Sequence, residues 1–196
     1  MNLVERVQRI LLSPQSEWEV IDAEPTTTAE LYTKYIAPLA AIGPVAQFIG
    51  FSFFGISLPG PNYRVPIGTG LTSAIVSYVL ALAGTYVLAL VIDALAPTFN
   101  GQRSQVQALK VAAYSSTAFW LAGIFALFPG LWILSMLGLY SVYLLYLGLP
   151  VLMKAPRDRA LPYTGVVIIA GIVLGIIISV IGNFFLRVPG VVMTMP

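Results

Sequence analysis

The chain has 196 residues, of which 58% are hydrophobic and only 9% charged, with a net charge of +2 and a mean hydropathy of +0.89. So few polar residues cannot coat a water-soluble globule, which leaves a membrane domain. With no cysteine and no histidine there is no disulfide, thiolate nucleophile, imidazole base or Cys/His metal site, and +2 is too small a charge to point to nucleic acid; the reading is of a non-enzyme without metal or cofactor.

Residues 2–12 place Leu3, Val4, Val7, Ile10 and Leu11 on one helical stripe, with Glu5, Arg6, Gln8 and Arg9 opposite and Asn2 as a cap. A helix of this kind lies in the membrane surface, where Arg6 and Arg9 meet lipid phosphates, or packs on the protein's own face, and both readings stay open. Pro14 starts a second short helix that carries Trp18 as an expected interface anchor. No short apolar stretch near Met1 leads to a small-residue cleavage site, so a cleaved leader is not expected. Glu17, Glu19, Asp22, Glu24 and Glu30 lack the D-x-D-x-D-G spacing of a cation loop and read as a solvated face that pairs with basic loops. Thr27 and Glu30 form a capping box that opens the first long helix.

Beyond that point, residues 35–63, 65–92, 111–153 and 160–186 carry no ionised side chain. At about 1.5 Å per residue, about 30 Å of hydrocarbon takes roughly 20 residues, so the third stretch holds two helices, broken at Phe128-Pro129-Gly130, and the others one each. Spans are expected at about 35–57, 68–95, 108–127, 131–153 and 163–187. The fold class is therefore an all-α polytopic membrane protein: an amphipathic N-terminal segment 1–34, a five-helix transmembrane bundle 35–188 and a short external tail 189–196. Eight of the ten Lys and Arg residues fall on one side of such a bundle, in the N-terminal segment and in the loops after spans two and four, against Arg64 and Arg187 on the other. The bias puts the N-terminus in the cytoplasm and the C-terminus outside, in the plasma (inner) membrane.

Pro38, Gly43 and Pro44 should bend span one, whose only strongly polar mid-span side chain is Gln47. Span two repeats a small or polar residue every fourth position, Thr69, Ser73, Ser77, Ala81, Thr85 and Ala89, and ends at Asp93; span five repeats the device with Gly171, Gly175, Ser179 and Gly182. Rows of this kind admit close backbone approach, within one bundle or between two copies in a homo-oligomer. Asp93, an acid at a helix C-terminal end, needs a cation, and Arg103 and Lys110 are the nearest in sequence. In span four Tyr140, Tyr143 and Tyr146 recur every third residue; the first two should face protein, lining a polar cleft with Gln47, Tyr114, Ser115, Ser116, Ser141 and Asp93 or bonding to carbonyls of neighbouring helices. Trp132 fits an outer aromatic belt and Trp120 a deeper position.

The loop Pro97 to Gly101 following Asp93, the run Leu109-Lys110-Val111-Ala112-Ala113-Tyr114-Ser115, and Gly138-Leu139-Tyr140-Ser141-Val142-Tyr143-Leu144-Leu145-Tyr146-Leu147-Gly148-Leu149-Pro150 together resemble the bacterial branch of the Yip (Ypt-interacting protein) family. The resemblance implies a five-helix integral membrane domain with a cytoplasmic N-terminus. In eukaryotic relatives the family is associated with Rab-type GTPases, vesicle formation and membrane shaping. Here the eukaryotic pattern G-Y-S-x-x-P reads Ala113-Tyr114-Ser115-Ser116-Thr117-Ala118, and no D-L-Y-G-P motif stands in the tail, so the likeness bears on the fold more than on a GTPase partner.

Two functions follow from these residues. A scaffold or adaptor in the lipid bilayer would recruit a cytoplasmic protein partner through a tail that the five-span core does not need for folding. A channel or transporter would instead pass a small solute, ion or lipid along a polar path between spans two and four.

Overall fold

The computed structural model describes residues 2–57 and 62–186. The C-terminal tail, with Arg187, lies outside them. Two short helices, α1 (Leu3–Leu12) and α2 (Pro14–Ala23), precede α3 (Thr28–Phe54), α4 (Ile67–Leu95), α5 (Gln105–Leu127), α6 (Gly130–Leu152) and α7 (Arg157–Leu186). Each of the last five is long and apolar enough to cross a membrane. The chain is thus an all-α five-span bundle, with one two-residue antiparallel ladder between β1 (Ile56–Ser57) and β2 (Asn62–Tyr63) linking α3 to α4.

Local chemistry sets the irregularities. The Thr27 hydroxyl accepts from the Glu30 N–H while the Glu30 carboxylate accepts from the Thr27 N–H, the capping box that starts α3. Tyr32–Ile36 then widens into a π turn, in which the Ala37 N–H bonds back to Tyr32. Pro38 follows immediately, with no N–H to give and a ring that crowds the carbonyl four residues back, so the wider turn accommodates it. The helix breaks again at Ala41, three residues before Pro44. In α5 the α-helix pauses at Ser116 and tightens to a 3-10 helix over Gly123–Leu127; a 3-10 segment Pro129–Leu139, kinked at Leu131, leads through the start of α6, which becomes α-helical only from Tyr140.

The core sits at one end. Along α5 every residue from Ala108 to Ser115 is buried, whereas none of Gly123–Leu127 is. In α6 most of the buried residues, Leu144, Leu145, Gly148, Leu149 and Leu152, lie in the α-helical half, and Gly138 is buried in the 3-10 half. Ile10, Trp18 and Ile21 of α1 and α2 join this cluster. The loops after α4 and α6 meet at the same end, where the Gln102 N–H donates to the Met153 carbonyl at 2.7 Å. Asn100 ends the 3-10 turn Ala96–Phe99 in the left-handed region, at φ 60°, and at Gly101 a Cβ would fall 2.7 Å from that same carbonyl, so the turn needs glycine there.

Close backbone approach occurs where α3 crosses α5. A Cβ on Gly123 would lie 2.8 Å from the Gly43 Cα, and one on Gly50 would lie 2.1 Å from the Ala126 carbonyl oxygen. The small-residue rows expected to serve this purpose behave differently. On α4, Thr85 and Ala89 are buried while Ser73, Ser77 and Ala81 are half-buried. On α7, Gly171 and Gly182 make only ordinary contacts with the Leu88 and Leu80 methyls, and Gly175 faces outward with nothing among the described residues within 4 Å of the place a Cβ would take. Large residues of α7 meet small ones of α4 instead: a Cβ on Gly84 would lie 2.6 Å from Ile178 Cδ1.

Candidate functional site: the platform of α1 and α2

α1 turns Ile10, with Leu3, Val7 and Leu11 partly buried, to the protein core. Val4 of the expected stripe is exposed, while Arg6, expected opposite it, lies on the buried face. Arg6, only 5% exposed, donates to the Glu17 carboxylate at 2.6 Å and to Glu24, and its guanidinium lies 5.7 Å from the centre of the Tyr114 ring. Glu17 is buried as well, at 3% exposure, so the pair is stable only because each charge meets the other out of water. Trp18 is fully buried, edge-on to Tyr114 with ring centres 6.2 Å apart. Its indole lies over Gly148, where a Cβ would come within 2.6 Å of the ring. Arg6 and Trp18, expected at the membrane surface, are therefore interior groups, and the two helices are part of the folded core rather than a separable tail. Arg9 is the member of that set that stays exposed, paired with Glu5 at 2.7 Å.

The same end satisfies the orphan carbonyls of α2. Lys110, buried in α5, donates to the carbonyls of Ile21 and Glu24, both at 2.7 Å, placing a cation at a helix C-terminus. Asp22 accepts from Gln107 at 3.1 Å and pairs with Lys154 of the loop after α6. Of the acidic run expected as a solvated face, Glu17 is instead buried and pairs with Arg6, as does Glu24; Asp22 pairs with the loop cation Lys154, and Glu30 pairs with Lys34 one turn on.

With Lys110 so used, Asp93 takes Arg103 as its partner, at 3.3 Å. Its other carboxylate oxygen is buried with no hydrogen-bond partner among the described residues. The remaining residues of the expected polar cleft do not assemble around it. Gln47 is exposed on α3. The Ser115 hydroxyl donates back to Ala112 within its own helix at 3.4 Å. Tyr114 packs tilted against Tyr35 with ring centres 4.4 Å apart, and Tyr140 donates at 3.0 Å to the Leu11 carbonyl at the end of α1. Tyr143 stands exposed beside Tyr140, with ring centres 5.5 Å apart. Both phenols sit on the half of α6 nearest α1 and α2, where an amphipathic ring can face an interface, and that removes the need to bury Tyr143.

Tyrosine hydroxyls do stitch other helices together. Tyr32 reaches the Leu82 carbonyl at 2.9 Å, Tyr163 the Ile92 carbonyl at 2.6 Å, and Tyr35 shares a 2.7 Å bond with the Thr117 hydroxyl. These carbonyls accept a second bond on a free lone pair, a link that suits lipid surroundings where each unpaired polar group is costly.

The Yip1 domain profile matches residues 9–178, nearly all of this architecture. The chain belongs to the Yip1 domain family. It is 30% identical over 166 residues to the inner membrane protein YohC of Escherichia coli K12, covering 82% of this chain and 85% of YohC, and matches YohC of an O6:H1 strain of the same species to the same extent. No solved structure matches the chain. The segments that resemble Yip proteins have definite tasks here: Gly148 seats Trp18, Asn100 and Gly101 dock the loop after α4 on Met153, and Lys110 holds α2. The burial of Arg6 and the seat under Trp18 were not legible in sequence, since an amphipathic stripe looks alike against lipid or protein. Gly148 four residues after Leu144 was the one available signal.

Proposed function

We propose that this Yip1 family protein is a non-enzymatic scaffold or adaptor of the inner membrane, with α1, α2 and the basic loops on the cytoplasmic side. The observation that carries the reading is the rigid mounting of α1 and α2: their inner faces are consumed by Arg6, Trp18 and Ile21, while Glu5, Gln8, Arg9, Leu12, Glu19 and Val20 remain exposed on the outer face. A fixed, mixed polar and apolar surface suits docking of a protein partner. The name of the E. coli relative supports the membrane, the grouping of Arg6, Arg9, Lys34, Arg103, Lys110, Lys154, Arg157 and Arg159 at one end supports the orientation, and the lack of Cys and His supports the absence of catalysis.

A photo-crosslinking residue at Gln8 or Glu19 should trap discrete protein adducts in cells, and one at Val173 on α7 only lipid. A single cysteine at Arg64 should react with an impermeant reagent in intact cells, and one at Gln102 only after the membrane is opened. Purified protein in liposomes should give no solute or ion flux. A saturable flux lost in Asp93→Asn would replace the scaffold with a transporter.

A further inference from the structure

Between α1, the turn from α2 into α3, and the start of α3 lies a cavity of about 400 Å³. Its polar lining is Arg6, Glu24, Thr26, Glu30, Lys34 and Tyr114, with Leu3 and Leu31 among its apolar walls. Its two cations and two carboxylates are paired with one another, Arg6 with Glu24 and Lys34 with Glu30 at 2.9 Å, so the lining is neutral overall. A lone anion would meet Glu24 and Glu30, and a lone cation would meet Arg6 and Lys34. A molecule that carries both charges a few ångströms apart can exchange with these ion pairs and leave no charge alone.

Two observations narrow the chemistry. Tyr114 is about nine-tenths buried and lines this cavity, yet its hydroxyl has no hydrogen-bond partner among the described residues. That hydroxyl opens into the cavity, where it is free to donate to an acceptor on a ligand. Lys34 stands one residue before the uncharged run of span one, the level at which lipid headgroups lie, and Leu3 and Leu31 offer apolar surface where a headgroup would pass into its chains.

We propose that this cavity binds an ethanolamine phosphate group, with the phosphate on Arg6, Lys34 and the Tyr114 hydroxyl and the ammonium on Glu24 and Glu30. The group can belong to phosphatidylethanolamine or to free phosphoethanolamine. The proposal does not rest on the scaffold reading, because a lipid or zwitterion site serves any membrane protein of this shape.

The full-length protein, offered an equimolar mixture of phosphatidylethanolamine, phosphatidylglycerol and phosphatidylcholine, is examined by native mass spectrometry. Phosphatidylglycerol lacks the ammonium, and phosphatidylcholine lacks N–H donors for the carboxylates. Retention of the ethanolamine lipid should exceed both by about 10-fold, the discrimination that charge-assisted hydrogen bonds typically give. Tyr114→Phe keeps the ring contacts to Tyr35 and Trp18 and removes only the hydroxyl, so it should melt like the parent while retaining roughly 5- to 10-fold less of this lipid, and Lys34→Gln should do the same. Arg64→Gln, at the far end, should leave the preference unchanged. Displacement by millimolar phosphoethanolamine would assign the site to the free zwitterion, and retention against it would assign the site to the lipid. Equal retention of the three lipids with no binding of phosphoethanolamine, or undiminished ethanolamine binding in both Tyr114→Phe and Lys34→Gln, would overturn the proposal.

Discussion

The two ends of the bundle are built by different rules. At the end that bears α1 and α2, side chains interlock as in a soluble core: Trp18 on Gly148, Arg6 between Glu17 and Glu24, and Lys110 under the end of α2. At the far end, α5 and α6 run as 3-10 helix with Trp132, Ile133, Met136 and Leu137 exposed, and the close contact is glycine on glycine where α3 crosses α5. Water drives apolar groups together at the first end because α1 and α2 must bury a stripe. Lipid removes that drive at the second, leaving only backbone proximity to hold helices together.

The comparison breaks most visibly at Trp18. Trp18→Ala should cost about 3–5 kcal/mol, as large aromatic truncations in cores do. Gly148→Leu, which drives bulk into the same ring, should cost about 3 kcal/mol from the other side. Because both disturb one contact, the double variant should melt well above the level that the summed single effects imply. Thermal melting in detergent decides it; additive losses would mean that Trp18 and Gly148 do not share a seat.

Arg6→Ala comes next, since it strands the buried Glu17 carboxylate, and breaking such a pair costs about 3 kcal/mol or more. Replacing both partners together, Arg6→Met with Glu17→Leu, should recover most of the loss. If Arg6→Ala melts like the parent, α1 sits on lipid and the interior assignment fails.

Why sequence revealed some of this and not the rest follows from which signals are local. The five spans were legible because charges are excluded from hydrocarbon one residue at a time, and the capping box because Thr27 and Glu30 meet within one turn. The pairing of Asp22 with the basic loop at Lys154 was legible as charge balance, whereas Glu17 and Glu24 turn inward to Arg6. What lay hidden was every choice of partner across the fold. The stripe of α1 fits lipid or protein equally, the phenol of Tyr140 fits any carbonyl, and a row of small residues does not say which neighbour approaches it. The π turn at Tyr32–Ile36 was foreshadowed by Pro38 only as a bend, and nothing in Pro129–Leu139 announces a 3-10 helix.

A smaller effect sharpens the boundary between the two ends. Asp93 and Arg103 pair across a half-open loop, with the Arg103 side chain 63% exposed, so the coupling between Asp93→Ala and Arg103→Ala should be about 0.5 kcal/mol. Asp93→Ala with Lys110→Ala should instead be additive, because Lys110 serves α2. A double-mutant cycle reads both, and strong coupling to Lys110 would reassign that lysine.

The smallest effect is expected at Gly175. A Cβ there meets nothing within 4 Å among the described residues and the position is exposed, so Gly175→Leu should shift stability by less than about 0.5 kcal/mol, the usual range for a surface change. Gly123→Leu, placed against the Gly43 Cα, should cost about 3 kcal/mol because a backbone cannot swing aside as a side-chain tip can. The contrast separates two uses of small residues that sequence alone presents as equal: at Gly123 the missing side chain is filled by another helix of the same chain, and at Gly175 it opens outward. Melting of the two variants as dilute monomers in detergent tests the first use. Should Gly175→Leu also melt early there, α7 would have to turn its glycines inward, and the packing of large α7 residues onto Gly84 would be lost.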